Sequence, residues 1–346
     1  MIVSKDISLK SLISWTWYHI LWLTILASGV AYSYHSGIIE FEIPWLPVSV
    51  IGTAVAFYVG FKNNQAYDRM WEARKIWGAI VNSSRSWGMM VDGYITDHFK
   101  KSTITEEGIK EAKRVLIYRH IAWLYQLRKQ LLVATEWEHI NQSYFYRVTA
   151  TFFQRKFGIG LVKEEANKID FKTLLPGEEH DRLMSNANTA TQVINEQSRH
   201  LKDLREKGMI DDFRHMEMGN MLADFYTQQG KCERIKKFPL PRQYANMSRY
   251  FIAIFIILLQ FSMIPGLNDE DTGMYNFYLS IPITALIGWV YVMMEIIADY
   301  SENPFQGMAN DIPMMSLCRT IEIDLREMLG ETDLPKPIPA RKNILM

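Results

Sequence analysis

The chain has 346 residues, and its 38 basic and 38 acidic side chains give a formal net charge of zero. This balance provides no basic field for nucleic acid, so we expect no nucleic-acid partner. Hydrophobic residues make up 48% and aromatic residues 13% of the chain, yet its mean hydropathy is only −0.09. The average is low because apolar runs near both ends flank a long polar block, and this segregation predicts a membrane protein with a large aqueous part.

The first apolar run extends from Trp15 to Tyr34 and carries no charge except a possible one on His19. At 1.5 Å per residue it covers roughly 30 Å, the thickness of the hydrocarbon core of a bilayer. A signal peptide is the alternative, because Lys5 and Lys10 precede the run. Aromatic residues at the start of the run are typical of a membrane–water interface and favour a retained span. They are Trp15, Trp17, Tyr18 and Trp22.

The second run, Leu46 to Phe61, is short for a membrane span. It passes without a break into a charged and aromatic segment that ends at Trp77-Gly78. We therefore expect one helix that leaves the membrane and continues into water.

Two further runs follow the polar block, from Tyr250 to Ile264 and from Met274 to Ile297. Four spans place the loops 35–45 and 265–273 on one side, and neither loop contains Lys or Arg. Basic residues mark the cytoplasmic side of a membrane. The sequence therefore predicts a multi-pass protein of the plasma membrane with both termini in the cytoplasm.

The polar block is mostly helical by pattern, with no convincing strand alternation. Helices are predicted for Ile109–Val133, Asn188–Glu206 and Asp211–Gln229 because apolar positions recur close to the helical period. The stretch 143–174 has weaker signals and is compatible with loops. The Pro-rich tail after Gly330 should be extended.

Motifs of enzymes are missing from the chain. There is no phosphate-binding loop, zinc-protease helix, nucleophile elbow or dinucleotide-binding glycine motif, and the eight histidines form no i, i+4 metal pair. Cys232 and Cys318 lie far apart without a CxxC pattern, which favours reduced cytoplasmic thiols over a disulfide. We therefore expect no enzyme, no cofactor and no bound metal, which leaves a channel, a transporter or a sensor.

Three ordered segments of the chain contain distinctive motifs. The first lies between residues 60 and 78, the second between 230 and 244, and the third between 302 and 322. Their motif residues are Gly60-Phe61-Lys62-Asn63-Asn64, Ala66-Tyr67-Asp68-Arg69, Gly230-Lys231-Cys232-Glu233-Arg234-Ile235, Pro239-Leu240-Pro241, Glu302-Asn303-Pro304-Phe305 and Ala309-Asn310-Asp311-Ile312-Pro313. In this order and spacing they resemble the bestrophin family of ion channels in its bacterial form, whereas the stretch 143–176 matches the family poorly.

The resemblance implies an all-α integral membrane protein that assembles as a homopentamer around one central pore. Each subunit would have four transmembrane helices and a helical cytoplasmic domain. Residues 1–61 would hold the first two spans, 62–249 the cytoplasmic domain, 250–297 the last two spans, and 298–346 a cytoplasmic helix and extended tail. The implied partners are other copies of the chain, membrane lipid and permeating monovalent ions.

The same resemblance implies a pore neck at Thr53, Phe57 and Phe61. Residues at i, i+4 and i+8 drift only about 40° per step around a helix, so the three share one face. The alternative is that the phenyl rings pack against neighbouring helices. A second, cytoplasmic constriction maps onto Phe213, with Ile210 as the nearest competitor.

Residues Glu302, Asn303 and Asp311 correspond to a segment that forms a calcium clasp in animal members of the family. Here Asp311 is the first acid after Asn303. Because calcium takes six to eight oxygen ligands, several of them anionic, we expect helix capping and subunit contact rather than metal binding.

Ion preference is predicted from the resemblance and from the two outer loops. Animal members of the family conduct anions and bacterial-type members conduct monovalent cations, and the three segments of this chain resemble the bacterial type. The outer loops contain acids but no Lys or Arg, and a ring of such acids would concentrate cations at the mouth of the pore. The acids are Glu40, Glu42, Asp269, Glu270 and Asp271. We therefore expect a channel for sodium and potassium. The alternatives are a chloride channel of the same fold and, from another class, a membrane-anchored sensor or scaffold.

Overall fold

The computed structural model describes residues 1–5, 9–99, 104–175, 177–267 and 274–346. Within these ranges the protein is helical and contains no β-strand, only isolated bridges that join Ile2 and Arg341 to Ile344. This confirms the predicted all-α class. The chain divides into two compact units, each described by itself. The apolar unit comprises Ser4–Arg69 and Pro239–Asn303, and the polar unit comprises Met1–Val3, Met70–Phe238 and Pro304–Met346.

The apolar unit is built from α1 (Leu9–His35), the first part of α2 (Trp45–Tyr94), α10 (Arg242–Gly266) and α11 (Met274–Ser301). Its core is aliphatic and aromatic. The buried residues of the main cluster are Leu23, Val48, Val55, Val59, Ile252, Phe255, Ile256, Leu259 and Ala285.

Close packing between α2 and α10 depends on Gly52. A Cβ atom at this position would lie 2.6 Å from the Phe255 ring, which real Cβ atoms do not tolerate. The Gly52 carbonyl also accepts a hydrogen bond from the Tyr291 hydroxyl at 3.0 Å. Gly52 therefore fixes the contact of α2 with two neighbouring helices.

Three helices in the described ranges are long and apolar enough to cross a membrane: Trp45–Tyr94, Arg242–Gly266 and Phe277–Ser301. The helix α1 does not reach this level of hydropathy. Its many Trp and Tyr side chains lower the mean hydropathy, although such side chains are favoured at membrane interfaces.

The polar unit contains the last part of α2 and eight further helices of the described chain. They are α3 (Glu106–Leu131), α4 (Tyr144–Phe157), α5 (Lys163–Asn167), α6 (Phe171–Leu174), α7 (Gly177–Met184), α8 (Thr189–Glu206), α9 (Asp212–Lys237) and α12 (Met314–Met328). Short 3₁₀ turns at His139–Asn141 and Ile159–Val162 connect some of them. The tail after Gly330 forms no helix.

The helix α3 lies at the centre of the polar unit. Trp123, Leu124 and Leu127 are fully or almost fully buried, and they pack with Trp87 and Phe225. Both Cys232 and Cys318 are free and buried. Burial raises the pKa of the Cys318 thiol to about 12, so this side chain is an inert core residue.

Candidate functional site

The predicted neck residues lie on one face of α2 and point away from the core of the apolar unit. The exposed fraction of Phe57 is 67% and that of Phe61 is 62%. Thr53 is also exposed, and its hydroxyl donates to the Ser49 carbonyl of the same helix at 2.9 Å. Since this hydroxyl donor is used within the helix, Thr53 presents a methyl group and oxygen lone pairs outward.

The opposite face of α2 is packed. Val48, Val55 and Val59 are buried in the apolar core, and Lys62 is completely buried. The Lys62 ammonium donates to the Glu295 carboxylate at 2.5 Å and to the Ser248 hydroxyl at 3.3 Å. Apolar packing and one ion pair therefore fix the rotation of α2 that leaves Phe57 and Phe61 outside.

Lys62 belongs to a buried charge network that joins α2, α10 and α11. Arg249 contacts Glu295 at 3.6 Å and also pairs with Asp299. Among the described residues, the second carboxylate oxygen of Glu295 is buried and has no hydrogen-bond partner. This oxygen can therefore accept one more hydrogen bond.

Sequence reasoning did not identify this network. The signal was present, because Lys62 follows a charge-free run directly and Glu295 lies near the end of an apolar one. Charged residues in apolar helices are costly unless they are paired. Their pairing across 233 residues of chain could not be read from local spacing.

The candidates for a second constriction have opposite environments. Phe213 is 80% exposed in the first turn of α9, whereas Ile210 is buried in the core of the polar unit. The Asp211 side chain caps the helix by accepting from the Arg214 backbone N–H at 2.8 Å. The environment of the two side chains therefore favours Phe213 over Ile210 as a pore-facing residue.

Only two of the five acids of the predicted outer mouth lie in the part of the chain that the structure describes. Glu40 and Glu42 are exposed between α1 and α2. Asp269, Glu270 and Asp271 lie outside the described residues.

The Asp311 carboxylate acts as the cap of a loop. One of its oxygens accepts from the Phe305 and Ile312 backbone N–H groups at 2.9 and 2.8 Å, and the other accepts from Gly307 at 2.7 Å. Phe305 and Gly307 have φ angles of 70° and 79°, which turn their N–H groups inward. Burial raises the pKa of Asp311, while these three hydrogen bonds act in the opposite direction.

The other residues of the predicted clasp lie in the apolar unit. Glu302 is buried, pairs with Arg242 at 3.3 Å and accepts from the Asn303 amide at 3.2 Å. Within the described ranges, no cluster of three His, Cys, Asp or Glu side chains could hold a metal ion. The carboxylates of this segment are thus engaged by the protein itself.

Comparisons with known proteins agree on one family. The family model of the bacterial/fungal bestrophin protein matches residues 7–327. The voltage-dependent anion channel-forming protein YneE of Salmonella typhi is 28% identical over 297 residues, which cover 86% of this chain and 81% of that protein. A voltage-dependent anion channel-forming protein of Mesorhizobium japonicum is 27% identical over 296 residues, covering 86% of this chain and 78% of its own length.

Among solved structures, a bacterial bestrophin homologue from Klebsiella pneumoniae superposes with a TM-score of 0.71 at 21% sequence identity. The match covers 91% of this chain and 98% of that one. At 21% sequence identity this structural similarity is evidence for a shared fold alone, which is the helical fold described above.

Proposed function

The chain belongs to the bacterial/fungal bestrophin family, and on this premise we propose that it is an ion channel of the bacterial inner membrane with a pore lined by α2. The observation that carries the proposal is the exposed stripe of Thr53, Phe57 and Phe61 on a helix whose other face is packed. Relatives named as channel-forming proteins support a channel rather than an enzyme.

We propose a homopentamer in which α1, the apolar part of α2, α10 and α11 of each subunit cross the membrane. Residues 62–249 and 298–346 would then be cytoplasmic, together with both termini. The length and hydropathy of α2, α10 and α11 support three of these spans. The length of α1, 27 residues, and its interfacial aromatic side chains support the fourth.

Five copies of α2 would place Phe57 and Phe61 in two stacked phenyl rings. A narrow apolar ring expels water and closes the pore to hydrated ions unless it widens. The edge of a phenyl ring carries partial positive charge and its face partial negative charge. A ring that turns its edges inward would therefore favour anions. Phe213 would form a second constriction on the cytoplasmic side.

The expected preference for sodium and potassium is revised. Relatives from Salmonella typhi and Mesorhizobium japonicum are named anion channel-forming proteins, which favours the chloride alternative. The outer loops supported the cation expectation together with the resemblance, but their lack of Lys and Arg follows equally from the positive-inside bias of membrane topology. We therefore propose that the channel passes monovalent anions such as chloride.

The test is a reversal potential across a bilayer that contains the purified protein, measured in a gradient of potassium chloride. We expect a value close to the chloride equilibrium potential. A value close to the potassium equilibrium potential would restore the cation alternative. A protein that is folded but gives no conductance in this gradient would instead favour a sensor or scaffold.

A further inference from the structure

The helix α4 presents an exposed face that is both aromatic and basic. Tyr144 is 75% exposed, Val148 50% and Phe152 51%. These residues are four apart and therefore form one stripe along the helix. Ala150, on the other side, is buried.

Basic side chains flank the stripe. Arg147, Arg155 and Lys156 are exposed, and α4 contains no Asp or Glu. Arg147 lies over the Tyr144 ring at 5.9 Å, and Lys156 lies over the Phe152 ring at 5.2 Å. In the part of the chain that the structure describes, no carboxylate lies within ion-pair distance of these three cations.

The exposed Lys342 of the C-terminal tail adds a fourth positive charge. Its ammonium donates to the Lys156 carbonyl at 3.4 Å and lies 5.6 Å from the centre of the Phe157 ring. The surface formed by Tyr144, Arg147, Val148, Phe152, Arg155, Lys156 and Lys342 is called the α4 face below.

The C-terminal end of α4 is fixed to the loop that follows α11. Gln154 donates to the Gln306 carbonyl at 2.7 Å, and the Ile159 N–H donates to the Gly307 carbonyl at 3.0 Å. Gly158 comes so close that a Cβ atom there would lie 2.0 Å from the Gly307 carbonyl oxygen. Two hydrogen bonds and this close backbone contact therefore attach the C-terminal end of α4 to the loop.

The chain itself limits how far this loop can be from the membrane. Gln306 is five residues beyond Ser301, the last residue of α11. Five residues of extended chain span at most about 18 Å. If α11 crosses the membrane as proposed above, Gln306, which accepts a hydrogen bond from the C-terminal end of α4, can lie no farther than this from its cytoplasmic end.

We propose that the α4 face binds the anionic phospholipid headgroups of the cytoplasmic leaflet. A helix with a basic polar face and an aromatic stripe lies in the plane of the membrane interface, with its rings at the headgroup boundary. The cations of the α4 face would pair with lipid phosphates, which explains why the described residues offer them no carboxylate. The inference rests on the proposed membrane topology.

The experiment places an environment-sensitive fluorophore on Phe152→Cys of the full chain. Because Cys232 and Cys318 are buried, only the new thiol should react. The labelled protein is reconstituted into vesicles of phosphatidylcholine alone or with about one third phosphatidylglycerol, a composition that attracts basic segments. Bromine atoms on the lipid acyl chains quench a label in the membrane, and iodide quenches a label in water.

We expect quenching by brominated lipid in anionic vesicles, several-fold weaker in neutral vesicles and at high salt. Replacing Arg147, Arg155 and Lys156 by Gln should weaken surface binding by about fivefold per cation lost. A label on Lys202→Cys, at an exposed position of α8, is the matched control and should respond only to iodide.

Two outcomes would overturn the proposal. Quenching of the Phe152→Cys label by iodide in every vesicle would show that the α4 face is in water. Shielding from both quenchers would show that another subunit covers it. Chloride flux through the same vesicles separates this proposal from the channel: flux without lipid quenching refutes only the lipid site, and lipid quenching without flux refutes only the channel.

Discussion

Two adjacent residues of α2 lie in opposite environments. Phe61 is 62% exposed, while Lys62 is completely buried beside Glu295. One residue step turns a helix by about 100°, so a single position separates the outward stripe from the packed face. The buried ion pair of Lys62 with Glu295 therefore helps to fix the rotation of α2, and this rotation determines the direction in which the Phe61 side chain points.

Replacement of Lys62 by Met should destabilise the protein by about 3–5 kcal/mol, because it leaves the Glu295 carboxylate buried without a cation in contact except Arg249 at 3.6 Å. The double variant with Glu295→Gln should regain part of this loss. The measurement is thermal unfolding in detergent, followed by tryptophan fluorescence.

The control variant is Lys110→Met, which breaks an ion pair whose side chains are 73% and 77% exposed. Its expected loss of unfolding free energy is less than about 1 kcal/mol. Equal losses in the two single variants would contradict the structural role of the Lys62 pair.

Phe57→Ala and Phe61→Ala should leave folding intact and increase single-channel conductance. Their side chains are mostly exposed in the subunit and lose little packing on truncation, while the proposed ring becomes wider. Phe255→Ala removes the same atoms from a side chain that is 3% exposed, and it should cost about 3–5 kcal/mol. Bilayer recording and thermal unfolding of all three variants provide the comparison. Neck variants that misfold at unchanged conductance would place both rings against neighbouring helices instead.

At the scale of helices, local patterns in the sequence predicted most of the polar unit. The predicted helix Asn188–Glu206 is observed as Thr189–Glu206, with the Asn188 side chain accepting from the Thr191 N–H as its cap. The helix predicted as Asp211–Gln229 likewise begins at Asp212 and is capped by Asp211, but it continues to Lys237. Cap and periodicity are local signals, which is why the starts of both helices were predictable.

The stretch 143–174 was harder to interpret, and it forms several short helices. Segments such as Lys163–Asn167 and Phe171–Leu174 contain five and four residues, too few to show a helical period. Buried pairs were also unpredictable, because their partners are distant along the chain. Arg119, for example, donates two hydrogen bonds to the Glu179 carboxylate, 60 residues away.

Removal of the α9 cap tests whether this helix presents Phe213 to a pore. Asp211→Ala should cost about 1 kcal/mol, because the Arg214 N–H loses its acceptor. Fraying of the first turn should increase amide hydrogen exchange at residues 212–215. If Phe213 forms a constriction, the variant should also change conductance.

The matched control is Thr105→Ala, which removes the equivalent side-chain cap of α3, a bond from the Gly108 N–H at 3.1 Å. It should lower stability by a similar amount without affecting the current. A change of current in both variants would show that the effect comes from reduced stability and not from Phe213.

At the scale of the molecule, the exposed side chains of the apolar unit indicate assembly. The most apolar 18-residue stretches of its three candidate membrane helices are only 28%, 44% and 33% buried within one chain. Lipid can cover part of this surface. The stripe on α2 contains exposed Phe57 and Phe61 opposite a fully packed face, and several copies of α2 are needed to close it around a pore.

Purified protein in mild detergent should therefore be a pentamer, with a protein mass about five times the 40.4 kDa of the chain. The pore proposal requires the phenyl rings to meet around one axis, and a monomer or dimer cannot place them so. Light scattering with subtraction of the detergent contribution, or native mass spectrometry, measures the mass directly.

Cross-linking of Phe57→Cys tests the ring itself. In a ring, neighbouring subunits should form disulfide-linked pairs under oxidation through the new thiol, since both native thiols are buried. Val59→Cys, at a buried position on the opposite face of α2, should form none. A mass of one or two chains, or equal cross-linking at the two positions, would exclude a central pore lined by this face.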